Sequence, residues 1–211
     1  MGSRVAHRVK RYAVDSRVVL KLRCDLTVPS HRLRPKDNRP GFRLLPFDED
    51  TAQRLIVMLA AVEPRRVKTI EHRRDTRVQG CVAEENGEVL GYTFYTTGKH
   101  PDLDWLGMTV SPGEIFGFDY FVRPTARGIG AHFARSTQEA QFNLGFKAAY
   151  GHVYADNTAA LWTYRITGWT EIGRVTEHRV LNRFTAVNGV LYEITLNGRE
   201  RIGTVPGLHP G

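Results

Sequence analysis

Apolar positions along this chain switch between a period of two and a period near four, and the switching lays out its elements. Ser16–Leu26 (SRVVLKLRCDL) is rich in β-branched residues with partial alternation and predicts a strand. Phe42–Pro46 predicts a second, short one. Ala52, Leu55, Ile56, Met58, Leu59 and Val62 recur at helical spacing; Asp48–Asp50 stand where a helix start favours negative charge, and Pro64 closes the segment. Val67–Arg77 is polar and fits neither period. Val78–Ala83 and Val89–Thr96 predict strands around Glu85, Asn86 and Gly87, a hairpin turn. Residues 98–113 read as a polar loop.

Glu114–Val122 (EIFGFDYFV) is the most strand-like run that follows. A glycine-containing turn, Arg123–Gly130, leads from it into a helix with Phe133, Thr137, Ala140 and Leu144 on one face and Gly145 at its end. Lys147–Tyr154 predicts a strand, and Asp156 or Asn157 caps a helix that Gly168 terminates. Strands are expected at Trp169–Val175 and, as the last, at Leu191–Leu196. This order predicts an α/β layer architecture with mixed sheet directions, in which residues 115–154 form a right-handed parallel crossover.

Charge changes the picture at one end only. Residues 1–40 hold 11 Lys and Arg against 3 Asp and Glu, whereas the remainder holds 19 of each. The three prolines and four basic residues of Pro29–Pro40 read as a linker. The expected organisation is therefore a basic extension over 1–40 with one strand, and a compact domain over 41–211. The arm is the only place where nucleic acid could meet the chain. No run approaches the length of a membrane-spanning helix, and the N-terminus has no apolar signal core. Cys24 and Cys81 fit no CxxC pair or zinc spacing, so no metal is expected and two free thiols in a reducing, cytoplasmic setting are.

The chemistry concentrates in VRPTARGIGAHF, residues 122–133. A strand ends, the chain turns through Gly128 and Gly130, and a helix begins. The first turn of a helix offers unpaired N–H groups and a positive dipole end, so a diphosphate is the natural occupant. Arg123 and Arg127 add charge beside it.

Val122, Pro124, Arg127, Gly128 and Gly130 match the V-x-P-x-x-R/Q-G-x-G-x-G/A loop of the GNAT superfamily. Asp156, Asn157, Ala160, Tyr164, Gly168 and Trp169 match its D-N-x-x-A-x-x-x-Y-x-x-x-G-F/W segment. With Arg127 in the Arg/Gln position, the last small residue falls on His132; with the glycines shifted, the Arg/Gln position falls on Thr125. Over residues 42–175 the chain thus resembles the GNAT N-acetyltransferases. The resemblance implies a mostly antiparallel sheet flanked by helices, and acetyl-CoA held by Phe121, Val122, Arg123, Arg127, Gly128, Ile129, Gly130, Ala131 and Asn157. It implies an amine of a small molecule or peptide as acceptor, and leaves room for a homodimer. Tyr164 would protonate the departing thiolate. Asp119 and Glu114 are the acids on the relevant strand, and alternation would turn them to opposite faces, with Asp119 the preferred base. His152 is an alternative base, and Trp105, Tyr92, Phe94 and Tyr95 are candidates for an acceptor pocket. Another acyl or aminoacyl donor on the same fold, or a non-catalytic module that binds coenzyme A, remain open.

Overall fold

The computed structural model describes residues 13–28, 39–126, 128–180 and 183–204. Its strands are β1 (Ala13–Asp25), β2 (Phe42–Pro46), β3 (Gln79–Glu85), β4 (Glu88–Thr96), β5 (Glu114–Val122), β6 (Ala148–Tyr154), β7 (Thr170–Val180), β8 (Phe184–Val187), β9 (Val190–Thr195) and β10 (Gly198–Thr204). The helices are α1 (Glu49–Val62), α2 (Val67–Asp75), α3 (Pro101–Leu106), α4 (Ile129–Asn143) and α5 (Thr158–Ile166), with a 3-10 turn at Pro64–Arg66. All described strands join one sheet in the order β10-β9-β8-β7-β1-β6-β5-β4-β3-β2. Each described neighbour pair is antiparallel except β5–β6, which is parallel as a crossover requires.

Helices cover both faces. On one, Ala52, Leu55 and Leu59 of α1, Ile70 of α2 and Trp105 of α3 pack with Tyr92, Phe94 and Phe116. On the other, Ile129 and Phe133 of α4 meet Ala83 and Leu90, while Leu161 and Tyr164 of α5 meet Leu20, Leu22 and Val153. A capping box starts α1: the Asp48 carboxylate accepts from the Thr51 N–H and the Thr51 hydroxyl from the Asp48 N–H, both at 2.9 Å.

The structure departs from the sequence reading in several places. The strand expected in the extension is β1, which lies inside the sheet between β6 and β7. Val19, Leu20, Leu22 and Cys24 are buried there, so the compact unit takes in residues well before Gly41. Arg39 likewise belongs to it, forked onto Glu85 at 2.8 and 3.0 Å. The rest of the basic arm and linker, residues 1–12 and 29–38, lies outside the described residues.

Val67–Arg77 is largely helical despite its polarity, because α2 buries Ile70 and Arg73. The expected loop over 98–113 contains α3. Pro101 sits in its first turn, the His100 ring accepts from the Asp102 N–H, and Gly107 ends it in the left-handed region (φ 59°). Leu191–Leu196 is not the last strand, since β10 pairs back onto β9.

Candidate active site

β5 and β6 are joined only from Glu114–Ala148 to Phe116–Tyr150. Beyond that point the strands part. The gap is a cavity of about 320 Å³, bordered by Gly117, Phe118, Asp119 and Tyr120 on one strand and by Gly151 and His152 on the other. It reaches both helical layers: Thr137, Gln138 and Gln141 of α4 and Tyr164 of α5 on one side, Asp102, Arg66 and Arg199 on the other.

A β-bulge in β5 shapes this wall. Phe121 pairs with Tyr92 and Phe118 with Phe94, so Asp119 and Tyr120 together stand opposite Thr93. Asp119 adopts φ 52°, a left-handed conformation rare for a non-glycine residue. The bulge overturns the alternation expected from Glu114 to Asp119. Phe116, Phe118 and Phe121 all pack toward the α1–α3 layer, while Tyr120 turns to α4. Asp119 meets Arg73 of α2 at 3.1 Å, and Glu114 accepts from the Tyr150 hydroxyl, so both acids serve the same side of the sheet. Glu114 also accepts from the Ser111 N–H at 3.0 Å and does not border the cavity.

The turn before α4 is open. Gly128 takes φ 77°, and a Cβ there would meet nothing within 4 Å. No side chain caps α4 and its first turn has no acid, so the opening amides keep their positive end. These features fit a diphosphate. Ile129 is buried beneath the turn and Ala131 stays half-buried. Gly130 also faces α5: a Cβ there would come within 3.3 Å of the Thr163 hydroxyl, so its bare backbone sets the approach of α4 to α5. Its carbonyl accepts from the Tyr120 hydroxyl at 2.7 Å. Arg123 is turned to Thr125 (2.6 Å) and Glu88 (3.3 Å), and Arg127 lies outside the described residues. Phe121 and Val122 continue β5 toward this turn without bordering the cavity.

Asn157 borders the cavity and caps α5, its side-chain oxygen accepting from the Ala160 N–H at 3.1 Å. Tyr164 lies seven residues on, against Trp169 (5.2 Å between ring centres). Desolvation pushes its phenol up to about 12, so it holds its proton through the neutral range.

On the opposite side Arg199 of β10 reaches Asp102 (3.2 Å), Glu177 (3.2 Å) and the Tyr154 hydroxyl (2.8 Å), with its guanidinium 3.8 Å from the Trp105 ring centre. His152 stacks on Phe116, its buried Nδ1 has no partner among the described residues, and burial lowers its pKa. Trp105, Tyr92 and Phe94 are core residues rather than pocket walls. Arg199, Glu177, Gln138 and Arg73 carry no motif and had no signal in the sequence; the last three stand out by their burial as polar groups and Arg199 by its ion pairs with Asp102 and Glu177. No group of three or more metal-binding side chains occurs among the described residues.

The profile of the acetyltransferase (GNAT) family matches residues 46–169, more than half of the chain. The chain belongs to the GNAT acetyltransferase family. Solved structures agree in fold. A protein assigned to the GNAT family from Novosphingobium aromaticivorans DSM 12444 is 18% identical, with a TM-score of 0.53 over 77% of this chain and 63% of that one. A GCN5-related glucosamine N-acetyltransferase region of a fungal multi-domain GH3 β-N-acetylglucosaminidase is 16% identical, with a TM-score of 0.62 over 82% of this chain and 22% of that one. A GCN5-related N-acetyltransferase from Sphaerobacter thermophilus is 19% identical, with a TM-score of 0.50 over 99% and 59%. The chain spans less than two thirds of each of these three. No curated protein matches its sequence. As a GNAT domain the chain has the mixed, mostly antiparallel sheet flanked by helices that its sequence motifs implied. No helix among the described residues is long and apolar enough to cross a membrane.

Proposed function

We propose that this GNAT protein is an acyl-CoA-dependent N-acyltransferase that moves an acetyl group from acetyl-CoA to a primary amine of a small molecule or peptide. The observation that carries the reading is the opening between β5 and β6, lined by Tyr164, on the same strand–turn–helix unit that ends in the uncapped start of α4. Backbone amides of Gly128, Ile129, Gly130 and Ala131 would hold the diphosphate of the donor; Arg127, the preceding residue in sequence, lies outside the described residues. The parted edges near Gly117–Tyr120 and Gly151 would take its extended arm, as an added strand would be taken.

The donor supplies an activated carbonyl, and the rest falls to the chain. Asp119 lines the cavity at the bulge, and in this reading it accepts a proton from the ammonium of the acceptor, since only a neutral amine attacks. Its pairing with Arg73 fixes its place. Tyr164, protonated across the neutral range, donates its phenolic proton to the departing sulfur. Glu114 is held by Ser111 and Tyr150 and takes no part in this scheme. The test is direct. Acetyl-CoA should raise the melting temperature of the purified protein by linkage, and an amine panel should release free coenzyme A. Stabilisation without release from any amine would leave a regulatory module that binds coenzyme A; no stabilisation by any acyl-CoA would end the reading.

A further inference from the structure

Beside the central cavity lies a second recess, of about 600 Å³. Its wall is built by Arg73 at the end of α2, Arg77 in the turn after it, Lys99 beyond β4, His100 at the start of α3 and Phe118 of β5. Phe118 borders both spaces. The Arg73–Asp119 ion pair stands between them, with Arg73 on the recess and Asp119 on the cavity.

The polar atoms here are one-sided. The lining residues include no Asp or Glu, while Arg73, Arg77 and Lys99 bring three positive charges, of which Asp119 offsets one. Arg77 and Lys99 are exposed, and neither is in an ion pair among the described residues. Two buried N–H groups of these lining residues have no acceptor among the described residues. One is Nε of Arg73, a residue only 4% exposed; the other is Nε2 of His100. Because Nδ1 of His100 accepts from the Asp102 N–H at 3.2 Å, the ring proton belongs on Nε2. Burial keeps the ring neutral, with its pKa drawn down to about 4. Buried donors are nearly always paired, and these two, which are not, belong to residues lining one basic recess that offers no carboxylate.

We propose that this recess binds an oxyanion group, carboxylate or phosphate, carried by the acceptor amine, with Arg73, Arg77, Lys99 and His100 as its donors. The acceptor would thus span the Arg73–Asp119 pair, with its amine at Asp119 and its anionic end in the recess. This rests on the reading of the cavity as an acyl-transfer site.

The experiment is isothermal titration of the full chain with succinate and with inorganic phosphate, coenzyme A being kept saturating so that the site at the start of α4 is filled. At least one anion should bind, and the stronger of the two names the oxyanion. Arg77→Gln and Lys99→Gln, both at exposed positions, should each weaken that binding about tenfold and leave acetyl-CoA affinity unchanged. With amine acceptors, a matching anionic group should lower KM about tenfold relative to an uncharged analogue. That advantage should vanish in Arg77→Gln while kcat stays within about twofold. Failure of both anions to bind, binding indifferent to both substitutions, or a KM indifferent to the anionic group overturns the proposal. Lack of acetyl-CoA affinity would instead discard the acyltransfer reading, and the anion titration would still judge the recess.

Discussion

Gly117 and Gly151 face one another where β5 and β6 begin to part: a Cβ on Gly151 would lie 3.6 Å from the carbonyl oxygen of Gly117. A Cβ on Gly117 would in turn lie 3.6 Å from the carbonyl oxygen of Tyr150. These are ordinary contact distances, so the backbone tolerates a small side chain here. What the two glycines protect is the space between the strands, which both line.

Gly151→Val should therefore fill the gap without unfolding the sheet. The expected result is a loss of acetyl-CoA affinity of about tenfold or more, with Gly151→Ala intermediate. Calorimetric titration measures the affinity and circular dichroism checks the fold. Unchanged affinity in the valine variant would mean that the donor does not thread between these strands.

Tyr164→Phe removes one hydroxyl from a partly buried ring and keeps its packing on Trp169. Turnover should fall about 100-fold, in the range usual for a lost proton donor, with KM changed less than about threefold. Because the phenol is raised to about 12, wild-type activity should show no basic limb from this group below about pH 11. Steady-state rates across pH decide it, and full turnover in the phenylalanine variant excludes Tyr164 as the acid.

Asp119→Asn keeps the shape of the bulge and removes the charge facing Arg73. A buried guanidinium would then lack its counterion, and stability should drop by about 1–3 kcal/mol, moderated by water at the partly exposed carboxylate. If Asp119 is also the base, kcat should fall by about 10- to 100-fold in addition. Urea unfolding and turnover are read on the same preparation. Lowered stability with intact kcat would make Asp119 a structural partner of Arg73 alone.

His100 ties stability to acidity. Its folded pKa is depressed from 6.5 to about 4 by burial, so between those values the unfolded chain binds the extra proton. The contribution is present above pH 6.5 and is lost as pH falls toward 4. His100→Asn keeps an acceptor for the Asp102 N–H and removes the titration. Between pH 7 and pH 5 the wild type should lose about 2 kcal/mol more than the variant, from a slope of about 1.4 kcal/mol per pH unit below 6.5. Urea midpoints at the two pH values test this, and parallel losses would refute it.

What could be read from the sequence was local. The hairpin at Asn86–Gly87, the strand–turn–helix around Gly128, the Asn157 cap and the periodicity of α1 all arise from residues a few positions apart. β1 was visible as a strand, yet its seat between β6 and β7 depends on partners more than 100 residues away. α2 was ambiguous in sequence because its helicity is supported by burying Ile70 and Arg73 rather than by an amphipathic pattern of its own.

The amino-acid order by itself determined the motif-bearing core of this GNAT domain and the side chain, Tyr164, that faces its cavity. Only the tertiary structure decided where the acids point, because the bulge at Asp119 breaks the period of two on which alternation rests. It likewise decided which charges meet on the far side of the cavity. Arg199 and Asp102 are 97 positions apart and become neighbours only when β10 closes on α3. Short-range order follows from propensity and turn chemistry; the walls of the cavity follow from pairings between distant strands, which no local pattern encodes.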